Sequence, residues 1–292
     1  MPLGSHTFWL PRRGNNPDEY EDAFALDDSS GRYALADGAT EGCFTGLWAR
    51  LLVEDFVSHA EWDASQWPPS LPAVEERWDT DVRARKLDWD ADYWVERGAS
   101  AAFLGLVLKN SPLLPGEGQG VRASHSPRPL AGEAPTNGYP GVRGALFRWQ
   151  AVAVGDTCLF HTRENVLLHV FPLDCSDQFN NRPRLVGSRM PVSEVHKRQR
   201  LWSDGCGQSG DRLWAMTDAL AKWCVTQHEA GSDPWRELES LLSSDPSHPS
   251  PSGRGTIFDG ARGEGRFTSW IESLRDAGRL QNDDVTLLAI RL

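Results

Sequence analysis

Apolar residues recur along this chain in two rhythms, one short and alternating, the other at helical spacing. The runs FALD at 24–27 and RYALAD at 32–37, split by the turn-forming DDSSG, predict a β-hairpin. Leu47, Leu51, Leu52 and Phe56 then repeat at three- to four-residue steps, so 45–59 reads as an amphipathic helix. Val74, Trp78 and Val82 predict a second helix over 73–87, and SAAFLGLVL at 100–108 has the composition of a buried strand. ALFRWQAVAV at 145–154, CLFHT at 158–162 and NVLLHVF at 165–171 are three further strand-like runs joined by turns. DRLWAMT at 211–217 is a strand running straight into a helix that begins DALAKWCV. Helical spacing returns at 235–242 and 267–277, and VTLLAIRL at 285–292 closes the chain as a strand. Strands in hairpin-like succession, with helices between the blocks, point to an α+β fold built on antiparallel sheets.

Two stretches break the rhythm. Residues 172–200 have no regular pattern. From 110 to 144 the chain is dense in Pro, Gly and Ser without apolar periodicity, and SPLLPGEGQGVRA is loosely echoed by SPRPLAGEAP and GVRG. We expect a disordered insertion there, within a single domain spanning 1–292, rather than an arm that folds on a partner.

Composition narrows the function classes. Of 292 residues, 39% are hydrophobic and 24% charged, a globular balance. The net charge of -11 excludes a dominant basic face, so no nucleic-acid partner is expected. No segment approaches the roughly 18 apolar residues of a membrane span, and the N-terminus lacks a leader pattern; the expectation is a soluble cytoplasmic protein with no membrane partner. The five cysteines contain no CxxC pair, which suggests reduced, mostly buried thiols. Among thirteen tryptophans, Trp48, Trp78, Trp202, Trp214, Trp223 and Trp270 fall in element-like runs and should pack in the interior. His161, His169 and His196 share no ligand-like spacing and read as surface or internally satisfied histidines.

Acidic residues recur where strands should end. Glu21 and Asp22 precede the first strand, Asp37-Gly38 closes the second, Asp156 follows AVAVG, Asp218 follows RLWAMT, and Asp283-Asp284 precedes the last strand. Singly, such residues are usually turn formers or helix caps, and Asp218 could cap the helix it opens. As a set they could share one pocket, because neighbouring strands converge at their ends, and hard divalent cations take several oxygen ligands. Spacing leaves both readings open.

The blocks EDAF at 21–24, ADGA at 36–39, VGDT at 154–157, TDAL at 217–220 and NDDVTLLAI at 282–290, in that order, resemble the protein phosphatase 2C family, in particular its compact bacterial members. The resemblance implies a four-layer α-β-β-α sandwich of two antiparallel sheets flanked by helices, with a two-metal Mn²⁺ or Mg²⁺ centre at one end. It implies that Asp37 bridges both ions, that the Gly38 carbonyl binds one of them, that Asp218 and Asp283 hold the first ion, and that Glu21 holds the second. Asp22 would orient a water, and Asp156 matches an acid that in some bacterial members holds a third, weaker ion. Asp284 is the alternative to Asp283. The implied activity is hydrolysis of phosphoserine or phosphothreonine in proteins by a metal-activated water, with Asp37, Asp218 and Asp283 as the catalytic acids. The implied partners are a phosphorylated protein and a cognate serine/threonine kinase.

The chain departs from the pattern at three places. Ala39 stands where some members carry a histidine, Cys158 replaces an arginine, and Pro17 occupies the place of the phosphate-gripping arginine, leaving Arg13 or Arg12 to serve. These departures support an alternative from another class, a phosphatase-like regulatory binding module with little or no turnover.

Overall fold

A computed structural model describes residues 4–39, 42–59, 61, 63–85, 95–111, 146–180, 182–195, 200–243, 254–256 and 265–292. Its strands are β1 (Gly4–Leu10), β2 (Asp22–Asp27), β3 (Arg32–Gly38), β4 (Ser100–Ser111), β5 (Leu146–Val154), β6 (Cys158–Arg163), β7 (Val166–Phe171), β8 (Val186–Gly187), β9 (Leu201–Gln208), β10 (Arg212–Met216), β11 (Arg254–Thr256) and β12 (Val285–Arg291). The longer helices are α1 (Thr45–Ser58), α2 (Leu71–Arg83), α3 (Asp218–Glu229), α4 (Pro234–Ser243) and α5 (Arg266–Asp276).

The strands form two antiparallel sheets. One has the order β1-β12-β10-β6-β7; the other runs β11-β2-β3-β4-β5-β9, with β8 pairing beside β4. Side-chain alternation sorts each strand between two interfaces. Along β2, Phe24 and Leu26 enter the core between the sheets, with Trp9, Leu35, Leu104, Leu213 and Leu288. Ala23 and Ala25 face the opposite way, toward Trp48, Phe56 and Trp78 of α1 and α2. Trp214, Met216 and Leu287 turn outward from the other sheet onto Trp223, Leu238 and Ile271 of α3 to α5. Three apolar interfaces between four layers give the α-β-β-α sandwich expected from the sequence. Gly105 shows how tight the helix–sheet contact is, since a methyl there would lie 2.6 Å from the Phe56 ring.

The strands that the sequence did not reveal lie mostly at the margins. β1, β9 and β11 are edge strands, and β8 is a two-residue pairing. β9, LWSDGCGQ, is largely solvent-accessible, so nothing forces its residues into apolar alternation. Its Trp202 is 37% exposed, against the interior place expected for it, whereas Trp48, Trp78, Trp214 and Trp223 are buried. The thiols also differ from expectation: Cys158 and Cys224 are buried, but Cys43 and Cys175 are only partly covered and Cys206 is exposed. α2 starts at Leu71, with proline inside its first turn, and ends at Arg83, earlier than the apolar spacing suggested. β4 and β5 pair as far as Ser111 and Leu146, so Asn110 and Ser111 are strand residues; the rest of the expected insertion lies outside the described residues.

Candidate metal and phosphate site

Four of the acids line one cavity because both sheets end at the same place. Asp37 ends β3, and Asp156 sits in the turn carrying the chain from β5 in one sheet to β6 in the other. Asp218 follows β10, whose Met216 pairs with Cys158 of β6. Asp283 precedes β12, whose Leu287 pairs with the same Met216. Asp37, Gly38, Asp156, Asp218 and Asp283 thus line one cavity of about 550 Å³. Glycine is needed in this turn: Gly155 has φ +101°, and a Cβ there would meet the Ala102 methyl at 2.6 Å and the Arg184 carbonyl at 2.8 Å. A Cβ on Gly38 would lie 2.8 Å from the Glu21 carbonyl and 2.9 Å from the Thr45 carbonyl carbon, so Gly38 lets β3 pass against α1.

Asp22 opens the neighbouring strand β2 and Glu21 immediately precedes it; both line a second cavity of about 570 Å³, together with Arg12, Phe44 and Thr45. Asp22 stands directly across from Asp37 in the ladder. Its Oδ2 accepts hydrogen bonds from Thr217 (3.0 Å) and Thr286 (2.7 Å), so it bridges the two sheets. Its Oδ1 is buried without a partner. Glu21 Oε1 accepts a hydrogen bond from the Thr45 hydroxyl (2.6 Å).

The electrostatics follow from crowding acids where water is scarce. Burial pushes the Asp37 carboxyl well above its ordinary 3.8, and the charges of Asp22, Asp218, Asp156 and Asp283 push it further. Burial likewise raises Asp22 well above 3.8, with Asp284 the next contributor. Asp218 is raised to about 7, by burial and then by Asp156 and Asp283. Asp156 is raised to about 6, chiefly by burial. Mutual repulsion and desolvation both penalise the charged forms.

The two members of the C-terminal acidic pair part company. Asp283 lines the acid cavity. Asp284 turns away and accepts the backbone N–H of Arg12 and of Glu21, both at 2.7 Å, tying the N-terminal loop to the start of β2. Asp218 is not the helix cap: Thr217 holds that position in extended backbone, while Asp218 occupies the first turn. There the helix dipole favours a negative charge.

The arginine expectations divide as well. The Arg13 guanidinium is engaged outside the cavity, with Glu272 and with Asp276 at 2.8 Å. Arg12 lies on the second cavity. Sequence reading missed several supporting groups. Arg275 is buried, donates to the carbonyls of Pro11 (3.2 Å) and Asp283 (2.5 Å), and so pins two loops at the rim. An arginine four residues after Ile271, on the apolar face of α5, was the available signal. Thr217 and Thr286, the donors to Asp22, carry no sequence mark that sets them apart from other threonines.

In donor chemistry the acids suit a hard divalent cation: their donors are all oxygen, Asp22 and Asp156 are buried while Asp37, Asp218 and Asp283 are half-buried, they repel one another, and Asp22 keeps one unpartnered oxygen. Among the described residues no three of these side chains are already gathered at the short distances of a formed metal site. Coordination would require the side chains to close in from their present positions around the cavity. Among the described residues no helix is long and apolar enough to cross a membrane.

No family model and no curated protein matches the chain. Solved structures do. The photosystem II phosphatase PBCP aligns over 99% of this chain and 98% of its own, at 12% identity and a TM-score of 0.53. The Mycobacterium tuberculosis serine/threonine phosphatase PstP/Ppp aligns over 100% and 99%, at 15% identity and 0.50. A bacterial serine phosphatase aligns over 98% and 96%, at 9% identity and 0.50. Identities this low speak to architecture, and the architecture agrees with the expectation raised by the five sequence blocks: this chain has the protein phosphatase 2C fold.

Proposed function

We propose that this protein is a metal-dependent phosphomonoester hydrolase acting on phosphoserine or phosphothreonine in proteins. The observation that carries the reading is the convergence of Asp37, Asp156, Asp218 and Asp283, from four separate strand ends, on one cavity. Carboxylates crowded around one cavity in this way repel one another, and divalent cations are the natural counter-charge. Asp37, Asp218 and Asp283 would hold the cations as the catalytic acids, with the Gly38 carbonyl beside them in the acid cavity, Glu21 on the side of the second cavity and Asp156 available to a weaker third ion. When bound, Mn²⁺ or Mg²⁺ would acidify the attacking water and offset charge on the phosphoryl oxygens.

The chain's own residues supply the rest. Asp22, held by two threonine hydroxyls with one oxygen left over, would orient a water. Asp284 and Arg275 fix the loops that carry Glu21 and Asp283. Ala39 supplies no acid, so the leaving-group proton comes from solvent in the cavity. Cys158 does not act as a nucleophile in this reading: it is fully buried, its thiol bonds to the Asp156 carbonyl at 3.2 Å, and burial pushes its pKa up.

The test is Mn²⁺-dependent release of p-nitrophenol from its phosphate, followed by phosphate release from phosphoserine and phosphothreonine peptides. Release that a chelator abolishes is expected. A folded protein that binds Mn²⁺ but turns over none of these would favour the regulatory module instead. Phosphoprotein substrates, a partner kinase and a cytoplasmic location all rest on this reading.

A further inference from the structure

The sequence pattern leaves Pro17 where a phosphate-gripping arginine would stand, and the structure ties Arg13 to Glu272 and Asp276 outside the cavity. A phosphomonoester dianion still needs a counter-charge beside the acids. Three basic residues line the acid cavity: Arg97, Arg182 and Lys222. Many other arginines are committed to carboxylates, Arg163 to Asp211, Arg189 to Asp79, Arg212 to Glu239 and Arg275 to Glu272. Among the described residues, Arg182 and Lys222 have no ion pair.

The placement of these two is specific. Lys222 is one turn beyond Asp218 on α3, so both project from one helix face into the cavity, and its charge acts on Asp218. Arg182 lines the same cavity from the loop after β7, with Phe179, Pro183 and Leu185. Formal charge shows what the pair is for. Four acids against three cations leave the bare cavity at about -1, which repels phosphate; two divalent ions matched to the acids leave about +3, which attracts it.

Resting on the phosphatase reading, we infer that Arg182 and Lys222 together grip the phosphate of the substrate, in place of the arginine displaced by Pro17. The planar guanidinium on the loop and the point charge on the helix would both meet the phosphoryl oxygens in the cavity.

The test is calorimetric binding of inorganic phosphate to the Mg²⁺-loaded protein, run beside steady-state kinetics on p-nitrophenyl phosphate. Arg182→Ala and Lys222→Ala should each weaken phosphate by about tenfold, the usual worth of one charge-assisted hydrogen bond. KM should rise in step, with kcat falling much less, and Lys222→Arg should restore most of the binding. Both side chains are exposed, so the melting temperature should not move. The inference is overturned if wild-type protein takes up no phosphate, or if the double variant binds it as tightly as wild type. It is equally overturned if Arg13→Ala or Arg97→Ala alone carries the loss. Phosphate uptake that depends on both residues, in a protein that hydrolyses no phosphoester, would instead sink the phosphatase reading and leave the anion grip standing.

Discussion

The two ends of strand β10 bury aspartates in opposite ways. At its start, Asp211 accepts two hydrogen bonds from Arg163 (2.7 and 2.9 Å), one from His161 (2.8 Å) and one from the Gln208 amide (2.9 Å). Burial works against the charge there, but those donors outweigh it and hold the carboxyl well below its ordinary range. The Asp211 carbonyl also accepts the Leu292 N–H at 3.0 Å, which fastens the end of β12. At the far end, Asp218 sits among Asp37, Asp156 and Asp283, and its carboxyl is raised to about 7. One end spends its acid on folding. The other keeps acids together at a cost to stability, which is what the proposed metal site would require.

The sharpest way to break this contrast is by mutation at the costly end. Asp37→Asn, Asp218→Asn and Asp283→Asn should each lower metal-dependent turnover by at least about a hundredfold, since even groups behind metal ligands cost that much. The metal-free variants should melt no lower than wild type, because asparagine removes repulsion; a large drop in melting temperature would mean the acids are structural. Asp211→Ala should do the reverse. Leaving Arg163 and His161 without their buried partner should cost about 3–5 kcal/mol, read by urea unfolding, while turnover per folded molecule stays near wild type.

Acidity separates the two ends next. Asp156 and Asp218 have folded pKa values of about 6 and 7, above the 3.8 of the unfolded chain, so between about pH 4 and 7 the native state binds more protons. Metal-free stability should therefore fall as pH rises through that window. Asp211, lowered in the fold, contributes stability that is present above about pH 4 and is lost as pH falls below it. A metal-free melting temperature highest near pH 4–5 is the expected profile, and Asp218→Asn should flatten only its upper limb. Mn²⁺ should offset the loss, adding roughly 2.7 kcal/mol at a hundredfold excess over its dissociation constant. Melting temperatures at pH 7.5 that ignore millimolar metal would count heavily against the site.

Asp284 tests the distinction within one acidic pair. Asp284→Asn should cost about 1–3 kcal/mol, because an amide in place of the carboxylate brings its NH₂ against one of two backbone N–H groups. Its turnover should fall less than that of Asp283→Asn; the opposite order would reverse the assignment. The smallest effect concerns the β4–β5 connection. Since Ser111 pairs with Leu146, residues 112–145 can be replaced by a short Asn-Gly turn, and stability should shift by no more than about 2 kcal/mol.

The amino-acid pattern by itself determined the central strands, the helices and the set of candidate acids. Buried strands such as β3 and β4 must be apolar in runs, and α1, α3 and α5 must show an apolar face, because each packs against a sheet. Edge strands β1, β9 and β11 carry no such obligation, and only their pairing partners define them. The tertiary structure alone decided which acids share a cavity, that Asp283 faces it while Asp284 clamps two amides, and that Arg13 is held elsewhere. It also decided that Asp211 is surrounded by donors and Asp218 by other carboxylates. Both are acids flanking one strand, and their sequence surroundings rank neither above the other. What separates them is the charge that other strands bring close, Arg163 and His161 at one end and three more carboxylates at the other. Local sequence fixes the type of each group, whereas its electrostatic role depends on neighbours that are remote along the chain.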